Sequence, residues 1–151
     1  MNNASDFIIR EGIVTRYDGA GGDIVIPEGV TGILDAAFHS CSKLTGISFP
    51  AGVTAIGNYA FGGCNCLTSV TLSEGIKVIG ESAFAECTSL TKMVIPATVE
   101  KIDNYAFANC TNLQTMAPTS SAAMVVRNIS IITRNCSSTS GRRKLSGKLR
   151  I

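Results

Sequence analysis

Tryptophan is absent from this chain, histidine occurs once, and aromatic residues together make up 6% of it. A core with so few rings has to be thin and regular, filled by Val, Ile and Leu. The lone His39 has no second histidine with which to share a metal, and a catalytic imidazole needs a positioned partner. No apolar run approaches the ~20 residues that a membrane-spanning helix requires. The opening stretch MNNASDFIIREG lacks the basic start and long apolar segment of a secretory leader, so the chain reads as soluble or as trimmed of its leader. Acids are missing beyond Asp103. Residues 1–115 hold all 11 acids and six of the 13 Lys and Arg, a net −5, whereas 116–151 hold seven basic residues, a net +7. Two kinds of sequence therefore meet near Met116. The composition, 45% hydrophobic and 16% charged over 151 residues, is that of one globular domain.

What the chain does contain is repetition. DAAFHSCSKL, NYAFGGCNCL, ESAFAECTSL and NYAFANCTNL place Phe38, Phe61, Phe84 and Phe107 at a constant interval of 23 residues. Cys41, Cys64, Cys87 and Cys110 follow at the same interval, as do Leu44, Leu67, Leu90 and Leu113. A fixed period in this range marks a solenoid of stacked coils. A residue that recurs in every coil is most simply a packing residue set on its own copies.

Four units lie in register: 24–46, 47–69, 70–92 and 93–115. Each opens with alternating apolar residues, as in IVIPEGVTGI and ISFPAGVTAI, which is the pattern of a short half-buried strand. Pro27, Pro50 and Pro96 lack the N–H that a ladder needs and mark the strand ends. Gly29, Gly52 and Gly75 make the next turn. A second apolar pair then follows in each unit: Val30/Ile33, Val53/Ile56, Ile76/Ile79 and Val99/Ile102. The Ala-Phe segment is too short for an independent helix and reads as a brief helical or 3₁₀ turn. Across unit boundaries, LTGISF, LTSVTL and LTKMVI fit L-x-x-L-x-L, the strand signature of leucine-rich repeats. LQTMAP keeps only its first half. The inward sets are Leu44/Ile47/Phe49, Leu67/Val70/Leu72 and Leu90/Met93/Ile95.

The unit LTxIxIPxxVxxIxxxAFxxCxx resembles the BspA-like leucine-rich repeats found in surface proteins of oral and gut bacteria and of some parasitic protists. The resemblance covers residues 24–115. It implies a leucine-rich-repeat solenoid, mostly β, with a curved right-handed coil, a parallel β-sheet and short 3₁₀ or helical turns. It also implies adhesion and protein binding rather than catalysis, with a host or extracellular-matrix protein as the kind of partner.

Open coil ends need caps. Residues 1–23 supply the first: FIIREGIVTRY reads as two short strands around Glu11-Gly12, a hairpin, and DGAGGD as a flexible link into the first repeat. Residues 116–151 form a non-repeat basic segment. In it MVVRNISIIT, 124–133, reads as an edge strand, and the remainder as a mobile tail.

Candidate chemistry is sparse. Coils stack ~4.8 Å apart, whereas a disulfide wants ~3.8 Å between converging Cβ atoms, so the four ladder cysteines read as small buried hydrophobes. Cys64-Asn65-Cys66 is half a metal site with nothing to complete it. Cys66 stands where other coils carry Lys43, Ser89 and Asn112, an outward position, and is the reactive thiol. Gly62, Ala85 and Ala108 replace His39 elsewhere, so that site is an exposed loop position. GAGGD lacks the helix and Lys-Ser/Thr of a phosphate loop. Asn3, Asn109, Asn128 and Asn135 are glycosylation acceptors only in a eukaryotic secretory setting. No catalytic, metal or cofactor site is expected.

The outward strand positions are Thr45, Gly46 and Ser48; Thr68, Ser69 and Thr71; Thr91, Lys92 and Val94; and Gln114, Thr115 and Ala117. They form a small, polar, nearly uncharged concave face with no Trp, Tyr or Arg, the usual hot-spot residues. Tyr59 and Tyr105 make an aromatic ridge elsewhere. The resemblance implies a non-enzymatic interaction or adhesion module, at the cell surface or secreted, and the small polar face predicts that it binds weakly and through many copies. The alternative is an intracellular repeat scaffold whose tail residues Arg142, Arg143, Lys144, Lys148 and Arg150 bind nucleic acid or another anionic polymer. No aromatic interleaves with that run for base stacking, which makes a solvated tail the simpler reading.

Overall fold

The structure, a computed structural model, describes residues 4–118. It is a solenoid in which each 23-residue unit closes one coil, and nearly all regular structure is β. The 3₁₀ turn Ala4–Asp6 leads into β1 (Phe7–Arg10), which pairs antiparallel with β2 (Ile13–Tyr17). Glu11 and Gly12 both have positive φ, 52° and 81°. A two-residue hairpin whose twist matches its strands requires this, and the expected N-terminal hairpin cap is there.

The hairpin does more than cover an end. β2 pairs in parallel with β4 (Gly32–Ile33), and β6 (Ala55–Ile56), β8 (Val78–Ile79) and β10 (Lys101–Ile102) continue one six-stranded sheet. Those two-residue strands are the second apolar pairs of the repeat. Opposite them run β3 (Gly22–Val25), β5 (Leu44–Ser48) and β7 (Ser69–Thr71), a parallel ladder in which β5 and β7 belong to L-x-x-L-x-L segments and β3 joins them from the end of the glycine-rich link. β9 (Lys92–Ile95) and β11 (Thr115–Pro118) form a separate parallel pair. β11 matches Met116 to Met93 and Pro118 to Ile95, so the ladder runs through LQTMAP although that segment keeps only half of the signature.

The Ala-Phe segments are turns bonded both within and between coils. Phe84 N–H donates to the Ala106 carbonyl of the next coil at 2.8 Å, while Cys87 N–H closes a turn onto Phe84 at 3.3 Å. No helix forms there because two residues in each segment are left-handed. Ala36, Tyr59, Ser82 and Tyr105 have φ of 61°, 57°, 55° and 60°. Ser40, Glu86 and Asn109 lie at 60°, 62° and 58°, with Gly63 at 76° in the remaining coil. A left-handed residue turns the chain out of the right-handed helical path and frees alternate N–H groups to bond with the neighbouring coil.

The phenylalanines form the axis of the core. Phe38, Phe61, Phe84 and Phe107 are fully buried and stack at 4.7, 5.2 and 5.7 Å between ring centroids, nearly parallel in the last two pairs. Tyr17 of the hairpin stacks on Phe38 at 5.1 Å and ends the column. The link DGAGGD wraps this tyrosine. The Tyr17 hydroxyl accepts the Gly21 N–H at 3.2 Å, and a side chain at Gly19 would collide with that hydroxyl. These glycines are packing requirements as well as a link.

Candidate functional site

The strands β3, β5, β7, β9 and β11 present the predicted residues in columns, one residue per coil. Thr68, Ser69, Thr71, Thr91, Lys92 and Val94 are exposed, and Thr45, Ser48 and Gln114 are half-buried. Thr115 is the first residue of β11. Alternation in the strands sets this arrangement: in β9 the pattern is exposed, buried, exposed, buried from Lys92 to Ile95.

One residue of this face comes from a segment that reads as a linker, and another from the opening strand of the first repeat. β3 begins inside DGAGGD, and its pairing places Asp23 beside Gly46, with Gly46 beside Ser69. The Asp23 carboxylate accepts a hydrogen bond from the Thr45 hydroxyl at 2.8 Å. It lies over Gly46, where an added Cβ would meet it at 2.6 Å. By the 23-residue period Lys92 falls in the same column, so the face carries a negative charge at one end and a positive charge at the other. Val25, at 58% exposed, adds an apolar contact beside Ser48.

The ladder is interrupted between β7 and β9. Thr68 N–H donates to the Thr45 carbonyl at 2.9 Å and Gln114 N–H to Thr91 at 2.8 Å. Between those bonds the two strands share no ladder among the described residues. A cleft of about 580 Å³ opens there, lined by Thr68, Ser69, Val70, Thr71, Leu72, Thr91, Lys92 and Val94. Val70 and Leu72, inward residues by the repeat pattern, are only half-buried. The cleft thus combines an apolar floor, a rim of hydroxyls, one ammonium group and unpaired strand edges. Such edges recognise an extended chain.

The cysteines follow expectation at three positions and depart from it at one. Cys64, Cys87 and Cys110 are fully buried, and each thiol donates to the phenylalanine carbonyl of the preceding coil: Phe38, Phe61 and Phe84, at 3.1, 3.2 and 3.0 Å. Burial pushes the Cys64 thiol up to about 12, with nearby Cys41 adding to the shift, and pushes Cys87 higher still. Cys41 is only half-buried. Its N-terminal neighbour is the glycine-rich link rather than a full coil, and a depression of about 160 Å³ lined by Tyr17, Gly19, Gly21 and Lys43 reaches it. Burial, and then the charge of Asp18, still raises its thiol. Cys66 is exposed, as its outward position predicts.

His39 is exposed, with its Nδ1 3.1 Å from the Ser40 hydroxyl. Among the described residues no cluster of His, Cys, Asp or Glu is suited to a metal, and no helix is long and apolar enough to cross a membrane. Tyr59 and Tyr105 are 47% and 45% exposed, outside the concave face. The segment 124–133 and the basic residues Arg142, Arg143, Lys144, Lys148 and Arg150 lie outside the described residues.

The BspA type leucine rich repeat region matches residues 21–136 in six copies. A leucine-rich repeat protein of T. pallidum, TpLRR, is 30% identical with a TM-score of 0.71, over 81% of this chain and 65% of that one. One from Bacteroides capillosus is 32% identical with a TM-score of 0.64, over 76% of this chain and 99% of that one. A leucine rich cell surface protein of Faecalibacterium prausnitzii is 30% identical with a TM-score of 0.70, over 88% of this chain. This chain spans 37% of the F. prausnitzii protein and just under two thirds of TpLRR. A comparison with curated protein sequences finds no match. The chain belongs to the BspA-type leucine-rich-repeat family.

Proposed function

We propose that this chain is a non-enzymatic interaction module that acts in adhesion at the cell surface and binds a protein partner through its concave face. The observation that carries this reading is the interrupted ladder between β7 and β9, where Thr68, Ser69, Thr71, Thr91, Lys92 and Val94 surround an open cleft. The surface setting rests on the similarity to the F. prausnitzii cell surface protein. The face is small and lacks Trp, Tyr and Arg, so a single copy binds weakly and many copies bind well.

The test is binding of the full chain, as a monomer and as a streptavidin-linked tetramer, to an array of extracellular-matrix proteins. The tetramer should bind at least one of them about a hundredfold or more tighter than the monomer, and Lys92→Glu combined with Val94→Asp should abolish the signal. Binding that survives both substitutions would remove the concave face from the account.

The basic segment supports a second reading, in which residues 116–151, net +7, hold an anionic polymer. Duplex DNA binding by the full chain and by a 1–118 truncation, across a salt series, decides it. Equal binding by the two, or none by either, would reject that reading.

A further inference from the structure

We propose that Tyr59, Ser82 and Tyr105 form a second binding site, on the turn column rather than the concave sheet, for a basic proline-rich peptide in the polyproline II conformation. The three residues occupy the same place in successive coils, two positions before Phe61, Phe84 and Phe107. All three are left-handed, at φ of 57°, 55° and 60°. Such a backbone disfavours a large side chain, and the first coil meets the same demand with Ala36 at 61°. The tyrosine rings add nothing to the core: they stand nearly half exposed, and their hydroxyls have no partner among the described residues.

In the coil between the two tyrosines lies Ser82, 6% exposed, with no hydrogen-bond partner for its hydroxyl among the described residues. A buried hydroxyl without a partner is a destabilising group. An incoming acceptor would satisfy it. The spacing says which kind. Tyr59 N–H bonds to the Glu81 carbonyl at 2.9 Å and Ser82 N–H to Asn104 at 3.1 Å, so adjacent coils are in ladder register here. The phenylalanines two residues on are separated by 5.2 and 5.7 Å. Two coil steps therefore set Tyr59 and Tyr105 roughly 10 Å apart. A polyproline II strand returns to the same face every three residues, a repeat of about 9 Å, and keeps its carbonyls unpaired. Prolines at i and i+3 meet the two rings while a carbonyl between them accepts from Ser82. Glu81, exposed and without an ion pair among the described residues, precedes Ser82 and favours a basic residue in the ligand.

The probe is a fluorescein-labelled peptide of repeated Pro-Pro-Lys, whose period places every lysine on one side, titrated with the full chain by fluorescence anisotropy. Tyr59→Ala and Tyr105→Ala should each weaken binding about tenfold, the size expected of a hot-spot ring. Ser82→Ala should weaken it by a smaller factor, and Lys92→Glu, on the concave face, should leave it unchanged. Tyr59→Ser and Tyr105→Ser, which copy the residue already left-handed at 82, repeat the test, and the melting temperature of each variant reports its folding. Equal binding of a Gly-Ser-Lys peptide of the same charge would overturn the proposal. So would saturation by a β-glucan oligosaccharide in place of the proline peptide, or folded tyrosine variants that bind like the parent.

Discussion

The Cys87 thiol donates to the Phe61 carbonyl at 3.2 Å, one coil back, while Cys87 N–H closes its own turn on Phe84. The pair explains why Ala-Phe-x-x-Cys is written as a unit. Phenylalanine supplies the stacked core and a carbonyl that accepts both the Cys64 N–H of its own coil and the Cys87 thiol of the next, and cysteine is small enough to be buried beside it while still donating.

Thiol reactivity follows from that placement. In the native protein Cys66 should react with a thiol reagent within the first minutes, Cys41 more slowly, and Cys64, Cys87 and Cys110 only after denaturation. Mass spectrometry of peptides from a labelling time course reads the order. Rapid native labelling of Cys87 would show that the coil interior is open.

Stability should fall in alkali. Burial raises the Cys64 thiol from an ordinary 9.0 to about 12, so between those values the unfolded chain loses a proton that the folded chain keeps. The contribution is complete below about pH 9 and is lost as pH rises toward 12. Urea midpoints measured across that window should decline, and the decline should be shallower in Cys64→Ala. A slope unchanged by the substitution would separate this thiol from the effect.

Gly80 tests the packing between coils. A Cβ there would lie 2.5 Å from Asn58 Oδ1 and 2.8 Å from the Asn58 backbone nitrogen. That carboxamide oxygen already accepts the Glu81 N–H at 2.8 Å. Gly80→Ala should cost about 1–3 kcal/mol, the range for forced overpacking. Gly62→Ala, where the closest contacts are 3.3 and 3.4 Å, should cost less. Denaturant melts compare the two, and equal stability would contradict so close an approach of these coils.

Ser82→Ala separates a binding role from a structural one. Removing an unpartnered buried hydroxyl should leave stability unchanged or raise it by up to about 1 kcal/mol. A loss of stability in a thermal or urea melt would mean that the hydroxyl has a structural partner.

The regular part of this architecture was legible because a 23-residue period needs no knowledge of long-range contacts. The phenylalanine column, three of the four ladder cysteines and the outward threonines all follow from equivalence between coils. What escaped was whatever depends on one coil alone or on elements too short to show a rhythm. Strands such as Gly32–Ile33 and Ala55–Ile56 cannot display a period of two, so their apolar pairs were visible and their sheet was not. Ala36, Tyr59, Ser82 and Tyr105 share no side-chain chemistry that announces a left-handed backbone. Gly19 and Gly21 look like a flexible link until Tyr17 is placed against them, and that link hid Asp23 from the face that the strands present. The break between β7 and β9 is a pairing property that no single segment encodes.

The central claim is that the repeated residues are the core and that function is carried by exposed residues. The most direct test is the urea unfolding free energy of Phe84→Ala, measured beside His39→Ala. Phe84 is fully buried and stacked on both faces, by Phe61 and Phe107, so its loss should cost about 3–5 kcal/mol. His39 is exposed and its removal should cost less than about 0.5 kcal/mol. A parent-like Phe84→Ala, or a His39→Ala that proves the more damaging of the two, would contradict the account.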